Sequence, residues 1–208
     1  MSTEAELQQR LEGVDVLVLP GWRNSGPDHW QSRWEDKFPE WSRVQQDNWL
    51  HPQRSDWVRT LDEYIAASSR PLLLIAHSLG CITVAHWAAQ SAHAGRVAAA
   101  LLVAPADVER STVASSLRSF APVPAERLPF PALMIGSDND HACTAWRACE
   151  FADAWGARFH LLGGAGHINA DSRLGDWEGG LELLHHWLQQ ALPQTSASAT
   201  ARSFRWAA

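Results

Sequence analysis

Residues 72–80 read Leu-Leu-Leu-Ile-Ala-His-Ser-Leu-Gly, and no other stretch constrains the fold so tightly. The run from Leu72 to Ile75 is short, continuous and apolar, as in a strand covered on both faces. An Ala-rich helical stretch follows, from Cys81 to Ala92. A chain that passes from a buried strand straight into a helix turns a sharp corner, here at Ser78. That corner exposes the serine hydroxyl and aims the Leu79 amide at the same point. Strand and helix backbones approach closely there, so small residues are needed two before and two after. Ala76 and Gly80 occupy those positions, giving the Ala variant of Gly-x-Ser-x-Gly. The pentapeptide alone does not decide the matter, because a serine that merely caps a helix after a strand reads the same way.

The surrounding pattern narrows the choice. Apolar β-type runs at 14–19, 72–76, 97–103, 131–135 and 158–162 alternate with helical stretches at 28–37, 55–67, 144–155 and 177–190. A further short strand is expected at 42–46. Regular alternation with continuous apolar strands predicts an α/β fold: a parallel sheet with helices on both faces. In such sheets ligands bind beyond the carboxyl ends of the strands. The chemistry is therefore expected in the loops after residues 19, 76, 103, 135 and 162.

At 208 residues the chain fits a single domain over 1–192, followed by a Ser-, Ala- and Thr-rich tail over 193–208 in which Trp206 is the one candidate to dock. The net charge of −6, with no basic cluster, argues against nucleic acid or an acidic membrane surface as partner. No apolar run approaches membrane-spanning length, and the first thirteen residues carry no signal-peptide core. Cys81, Cys143 and Cys149 form no spaced framework and read as reduced thiols of a cytoplasmic protein. Of the 12 tryptophans, most are expected in the core. Trp22 differs, since it follows Pro20-Gly21 at a strand end and so belongs beside a site.

Three of the strand-end loops carry reactive groups. Ser78 follows one strand, Gly136-Ser137-Asp138-Asn139-Asp140 another, and Gly163-Gly164-Ala165-Gly166-His167 the last. The order Ser, Asp, His is that of α/β-hydrolases. A serine hydroxyl needs an imidazole to take its proton. The imidazole needs a carboxylate to fix its tautomer, and the developing oxyanion needs preorganised amides. His167 is the expected base. Asp140 is preferred as the acid, then Asp138, with Asp107 a third option. The amides of Leu79 and Trp22 are the expected oxyanion donors, with Gly21 allowing the close approach. Gly21 and Trp22 are also expected to touch substrate. His77 is read as structural or pocket-lining, its side chain pointing away from the base, and His185 and His186 as solvated or capping. His141 and Cys143 lack two further ligands, so no metal site is expected.

These residues resemble the retinoblastoma-binding protein 9 / YdeN-like family of small serine hydrolases. The matching pieces are Leu19-Pro20-Gly21-Trp22, Trp30 and Trp34, Trp57 and its helix, and Ala76-His77-Ser78-Leu79-Gly80. Ala121-Pro122-Val123-Pro124, Ser137 to Asp140 and Gly166-His167-Ile168-Asn169 complete the set. The resemblance spans most of residues 14–190. It implies a compact α/β-hydrolase without a large cap domain, and the last Asp of the acid loop, Asp140, as the acid. The proline-rich connection 104–130 agrees, reading as a loop with at most one helix. Two departures stand out: His141 follows the acid where the family often has Pro, and no Leu-x-Cys-x-Glu segment supports binding of a retinoblastoma-type protein.

The expected function is hydrolysis of small esters, with amides second, through an acyl-enzyme and without cofactor. The rivals are a catalytically silent interaction module on the same scaffold and an acyltransferase using the same residues. Substrate identity and oligomeric state are not legible.

Overall fold

The computed structural model describes residues 2–192, so the tail and its Trp206 lie outside the described residues. The chain runs α1 (Thr3–Arg10), β1 (Asp15–Leu19), α2 (Trp30–Lys37), β2 (Ser42–Arg43), α3 (Arg54–Ala67), β3 (Leu72–His77) and α4 (Leu79–Ala88). It continues with β4 (Val97–Val103), β5 (Ala132–Ser137), α5 (Ala145–Trp155), β6 (Arg158–Leu162) and α6 (Glu178–Ala191). The strands form one sheet in the order β2-β1-β3-β4-β5-β6, every pair parallel.

This order contains one reversal. The connection from β1 through α2 builds outward to β2, whereas α3 brings the chain back across to β3 on the other side of β1. The loops after β1 and β3 thus diverge, and their divergence opens a crevice at the carboxyl ends of those two strands. Ser78 and Gly21 lie at that switch point.

Both faces of the sheet are covered. Alternate residues of β3 divide between them: Leu72, Leu74 and Ala76 pack with Trp57, Leu61, Ile82, Phe151 and Trp155, while Leu73 and Ile75 pack with Trp30, Trp34, Leu181 and Leu184. The strict twofold alternation of strand side chains does the sorting. All six residues of β3 are buried. Burying each leucine there contributes roughly 1.5–3 kcal/mol, which gives the reactive corner a well-packed base.

Several element bounds differ from the sequence reading. That reading places nothing before Val14, yet Thr3–Arg10 is helical. Ser2 caps it by accepting from the Ala5 amide at 3.4 Å, Glu4 and Glu6 complement its dipole, and Leu7 is fully buried against α6. The surface of this segment is polar, so one buried leucine is a weak signal. α2 starts at Trp30 rather than Asp28, because His29 serves as its cap and accepts from the Gln31 amide through Nδ1. α4 begins directly after Ser78 and ends at Ala88, where the Gln90 and Ser91 amides both turn back to the Trp87 carbonyl. The connection 104–130 holds only a short 3₁₀ segment, Ser115–Phe120. His185, expected to be solvated or capping, instead sits 3.3 Å from Glu6 and ties α6 to α1.

If α1 is an integral part of the fold, Leu7→Ala should lower unfolding free energy by about 2–4 kcal/mol. Urea denaturation of the two forms checks this. A loss below about 0.5 kcal/mol, the range of an ordinary surface change, would mean that α1 is not coupled to the core.

Candidate active site

Ser78 occupies the N-cap position of α4, but its side chain does not serve as the cap. It stands at φ 54°, ψ −118°, a left-handed backbone that non-glycine residues adopt only when their surroundings impose it, and its side chain makes no capping hydrogen bond. The surroundings explain the imposition. The Ser78 amide donates to the Val103 carbonyl at 2.9 Å, and its own carbonyl accepts from Cys81 and Ala106. A Cβ on Gly80 would sit 2.4 Å from the Leu19 carbonyl oxygen, so only glycine lets α4 start this close to β1. A Cβ on Gly21 would sit 2.7 Å from the Ser78 Cβ. The loop after β1 therefore runs in contact with the serine, as the sequence reading expects. Within the loop the Asn24 amide donates to the Gly21 carbonyl, and the Arg23 amide reaches across to the Trp49 carbonyl beyond β2. Trp22 is half-buried, its Nε1 donating to the Leu50 carbonyl at 2.9 Å.

The structure brings Ser78, His167 and Asp140 together. The Ser78 hydroxyl lies 2.8 Å from His167 Nε2. His167 Nδ1 lies 2.8 and 3.0 Å from the two Asp140 oxygens. The Asp140 side chain is 2% exposed and that of His167 11%, so the pair is shielded from water. Asp140 also accepts from the Ala142 amide at 2.7 Å, which aims its carboxylate. An imidazole held in this way on a hydroxyl can take its proton and return it.

The other acid candidates are engaged elsewhere. Asp138 accepts from the Gly164 amide at 2.7 Å. Asp107 accepts from the Glu109 amide and faces Arg147. The neighbours of Asp138 bind the same stretch of backbone. Ser137 Oγ accepts from the Ala165 amide at 3.0 Å, and Asn139 Oδ1 from the Gly166 amide at 2.7 Å. Four successive residues, Ser137 to Asp140, thus grip residues 164–167. The sequence reading treats this loop as the source of one carboxylate, whereas each of its side chains positions a part of the histidine loop.

His77 requires a correction. Its side chain is expected to point away from the base, but its Nε2 lies 2.9 Å from the His167 carbonyl oxygen and its ring 5.0 Å from the His167 ring. His77 extends β3 by one residue beyond the expected end, and the strand alternation turns it toward the His167 loop. Burial holds its imidazole well below the usual histidine range, with His29 and His167 adding to the effect, so it stays uncharged near neutrality. Burial likewise pushes His29 down to about 3, helped by Arg43 and His167. Trp30 and Gln31 also reach this region, and sequence reasoning missed both. Gln31 is wholly buried and its amide donates to the Leu19 and Ile75 carbonyls, strapping β1 to β3 where they diverge. A glutamine one position beyond a tryptophan at a helix start carries no distinguishing mark in the sequence.

The two buried thiols, Cys81 and Cys143, do not compete as nucleophiles. Burial raises Cys81 strongly and pushes Cys143 up to about 12, where Asp107 and Asp140 add to the effect. Among the described residues no cluster of three or more His, Cys, Asp or Glu is arranged to hold a metal ion. No helix among them is long and apolar enough to cross a membrane.

A six-stranded parallel sheet with a serine on a strained strand-to-helix corner, and a histidine and an aspartate on later strand ends, defines a hydrolase of the α/β class. The chain belongs to the serine hydrolase family, whose profile matches residues 16–186. It is similar to the crystal structure of a YdeN-like hydrolase from Pectobacterium atrosepticum, with 31% identity over 92% of this chain and 99% of that one, at a TM-score of 0.81. The ydeN gene product of B. subtilis shares the fold at 19% identity, 85% and 97% coverage and a TM-score of 0.65. Est1E from Butyrivibrio proteoclasticus does so at 11% identity, 86% and 87% coverage and a TM-score of 0.62. No curated protein matches the chain.

The grip of the acid loop on the histidine loop has a measurable consequence. Asn139→Ala removes the acceptor of the Gly166 amide and a partner of Ser137, at a cost of about 1–2 kcal/mol. Amide exchange at Gly166 should accelerate accordingly. Unchanged exchange would show that the bond contributes nothing to holding the loop.

Proposed function

We propose that this protein hydrolyses small esters, with amides as slower substrates, through an acyl-enzyme on Ser78. One observation carries the reading: a single hydrogen-bonded line from the Ser78 hydroxyl through His167 to Asp140, with both links at 2.8 Å. Ser78 Oγ attacks the ester carbonyl carbon as His167 Nε2 takes the hydroxyl proton. The carbon–oxygen bond to the alcohol then breaks, and His167 gives that proton to the departing alcohol. Water attacks the acyl-enzyme with its proton going to the same nitrogen, and return of the proton to Oγ frees the carboxylic acid. Asp140 holds the tautomer with Nδ1 protonated and stabilises the imidazolium.

The Leu79 amide, at the first position of α4, and the Trp22 amide are assigned to the oxyanion. The contact between Gly21 and Ser78 supports the second assignment, because it brings the start of the Trp22 peptide alongside the nucleophile. Gly21 and Trp22 would also line the substrate entrance. The connection 104–130 holds only a single 3₁₀ segment, which supports an open site suited to small acyl substrates. No metal or organic cofactor has a part in these steps. We assign residues 1–192 to one domain and the protein to the cytoplasm, the latter on its three free cysteines.

A fluorophosphonate probe should label the wild type and not Ser78→Ala. Equal labelling of the two would sink the assignment. With p-nitrophenyl acetate, Asp140→Asn should lower kcat by about 10³- to 10⁴-fold, while Asp138→Asn has a far smaller effect. The reverse ranking would move the acid to Asp138. An absence of stoichiometric acylation in the wild type would leave a binding module on a hydrolase scaffold.

A further inference from the structure

We infer that His77 and Trp30 are positioning residues that clamp the His167–Ile168 backbone from beneath and thereby set the imidazole against Ser78. The inference rests on the functional reading just given.

The need for a clamp arises from the loop itself. His167 ends a stretch with two left-handed glycines, Gly164 at φ 66° and Gly166 at φ 58°; the acid loop holds their amides, but the carbonyls of His167 and Ile168 that follow need partners from elsewhere. Ile168 follows at φ 48°. A β-branched residue in the left-handed region is held there by its surroundings rather than by preference. The imidazole must nonetheless stay within hydrogen-bond reach of a hydroxyl that is fixed on a rigid strand end.

Two side-chain donors meet two successive carbonyls at this point. His77 Nε2 lies 2.9 Å from the His167 oxygen. A carbonyl only accepts, so His77 donates and is the neutral tautomer with its proton on Nε2. Trp30 Nε1 donates to the Ile168 oxygen at 2.8 Å. The donors come from different elements. His77 is the last residue of β3, adjacent to Ser78, so one strand end carries both the nucleophile and the group that holds its base. Trp30 opens α2, and its ring packs against those of Trp34 and Trp177 at 4.6 and 5.0 Å, which fixes the direction of the indole N–H.

Further contacts stiffen the donors. The His29 ring meets that of His77 edge-on at 4.7 Å, and His29 is itself held by the Gln31 amide at 3.1 Å. Ile168 is fully buried in the same core cluster as Trp30. Residues 29–31 therefore act together: His29 steadies His77, Trp30 holds Ile168, and Gln31 joins the ends of β1 and β3.

A buried indole or imidazole usually finds some acceptor, so the alternative is that these bonds only satisfy polar groups. Three variants separate the two cases. Trp30→Phe keeps an aromatic ring without the donor, His77→Leu removes the other donor, and His77→Gln keeps an N–H near the same place. Ester kinetics and the low-field proton resonance of the His167–Asp140 hydrogen bond are read on each, below its thermal transition. Trp30→Phe and His77→Leu should lower kcat by about 10- to 100-fold, the usual cost of a misplaced reacting group, with KM little changed. Their low-field resonance should broaden into exchange. His77→Gln should restore most of both signals.

Wild-type kcat and a sharp resonance in folded Trp30→Phe and His77→Leu would overturn the clamp. So would a His77→Gln variant as impaired as His77→Leu. Should His77→Leu fail to fold, Trp30→Phe decides alone. Failure of the functional reading would look different: the wild type itself would show no label on Ser78, while the resonance would still judge the clamp in each variant.

Discussion

The contact between the carboxyl ends of β1 and β3 is the constraint on which the other features rest. Gly21 and Gly80 are both pressed against neighbouring backbone or against Ser78, at distances no Cβ could occupy. That proximity allows a helix to start immediately after a strand, and it forces Ser78 into a left-handed conformation. Such a residue costs on the order of 1–3 kcal/mol. The fully buried strand beneath it offsets that cost many times over, which is why the strained corner sits on β3 and not on an edge strand.

Around this corner the structure uses side chains to organise backbone. Ser137, Asp138 and Asn139 hold amides of the histidine loop, Asp140 holds its imidazole, and His77 and Trp30 take its last carbonyls. The loop carrying His167 has local bonds through Ala165 and Ser172 and the buried Ile168, and to these the polar contacts from other segments are added. The tryptophans fit the same pattern. Trp30, Trp34 and Trp177 pack ring against ring, and both Trp30 and Trp34 donate their N–H to a main-chain carbonyl beyond β6. Aromatic mass and a fixed donor come in one side chain.

Much of this is legible in the chain. β4 and β6 begin and end where the apolar runs do, and the alternation of strands with helices announces a parallel sheet. Ser78 and His167 stand out by their places at strand ends, the acid loop by its two aspartates, and Gly21 by its place after β1. Less is legible where a signal depends on partners. α1 is short and polar, and its helical spacing, Leu7 and Leu11 with Val14 beyond, rests on too few apolar residues to mark it before its partner α6 is known. His77 lies against the His167 loop rather than away from it, because strand alternation puts it on the face of Leu73 and Ile75, the face that α2 covers. Gln31 and Trp30 are invisible as site residues, since their partners are carbonyls far along the chain.

By itself, the sequence determined the class of fold, the corner at Ser78 and the three strand ends that carry reactive groups. Those properties follow from hydrophobic periodicity and from glycine placement, which are local. Only the tertiary structure showed which of Asp107, Asp138 and Asp140 meets His167, and only it brought His29, Trp30, Gln31 and His77 together. These depend on distances between segments up to 138 residues apart, and such distances are set by how the sheet packs, not by any residue's neighbours in the chain.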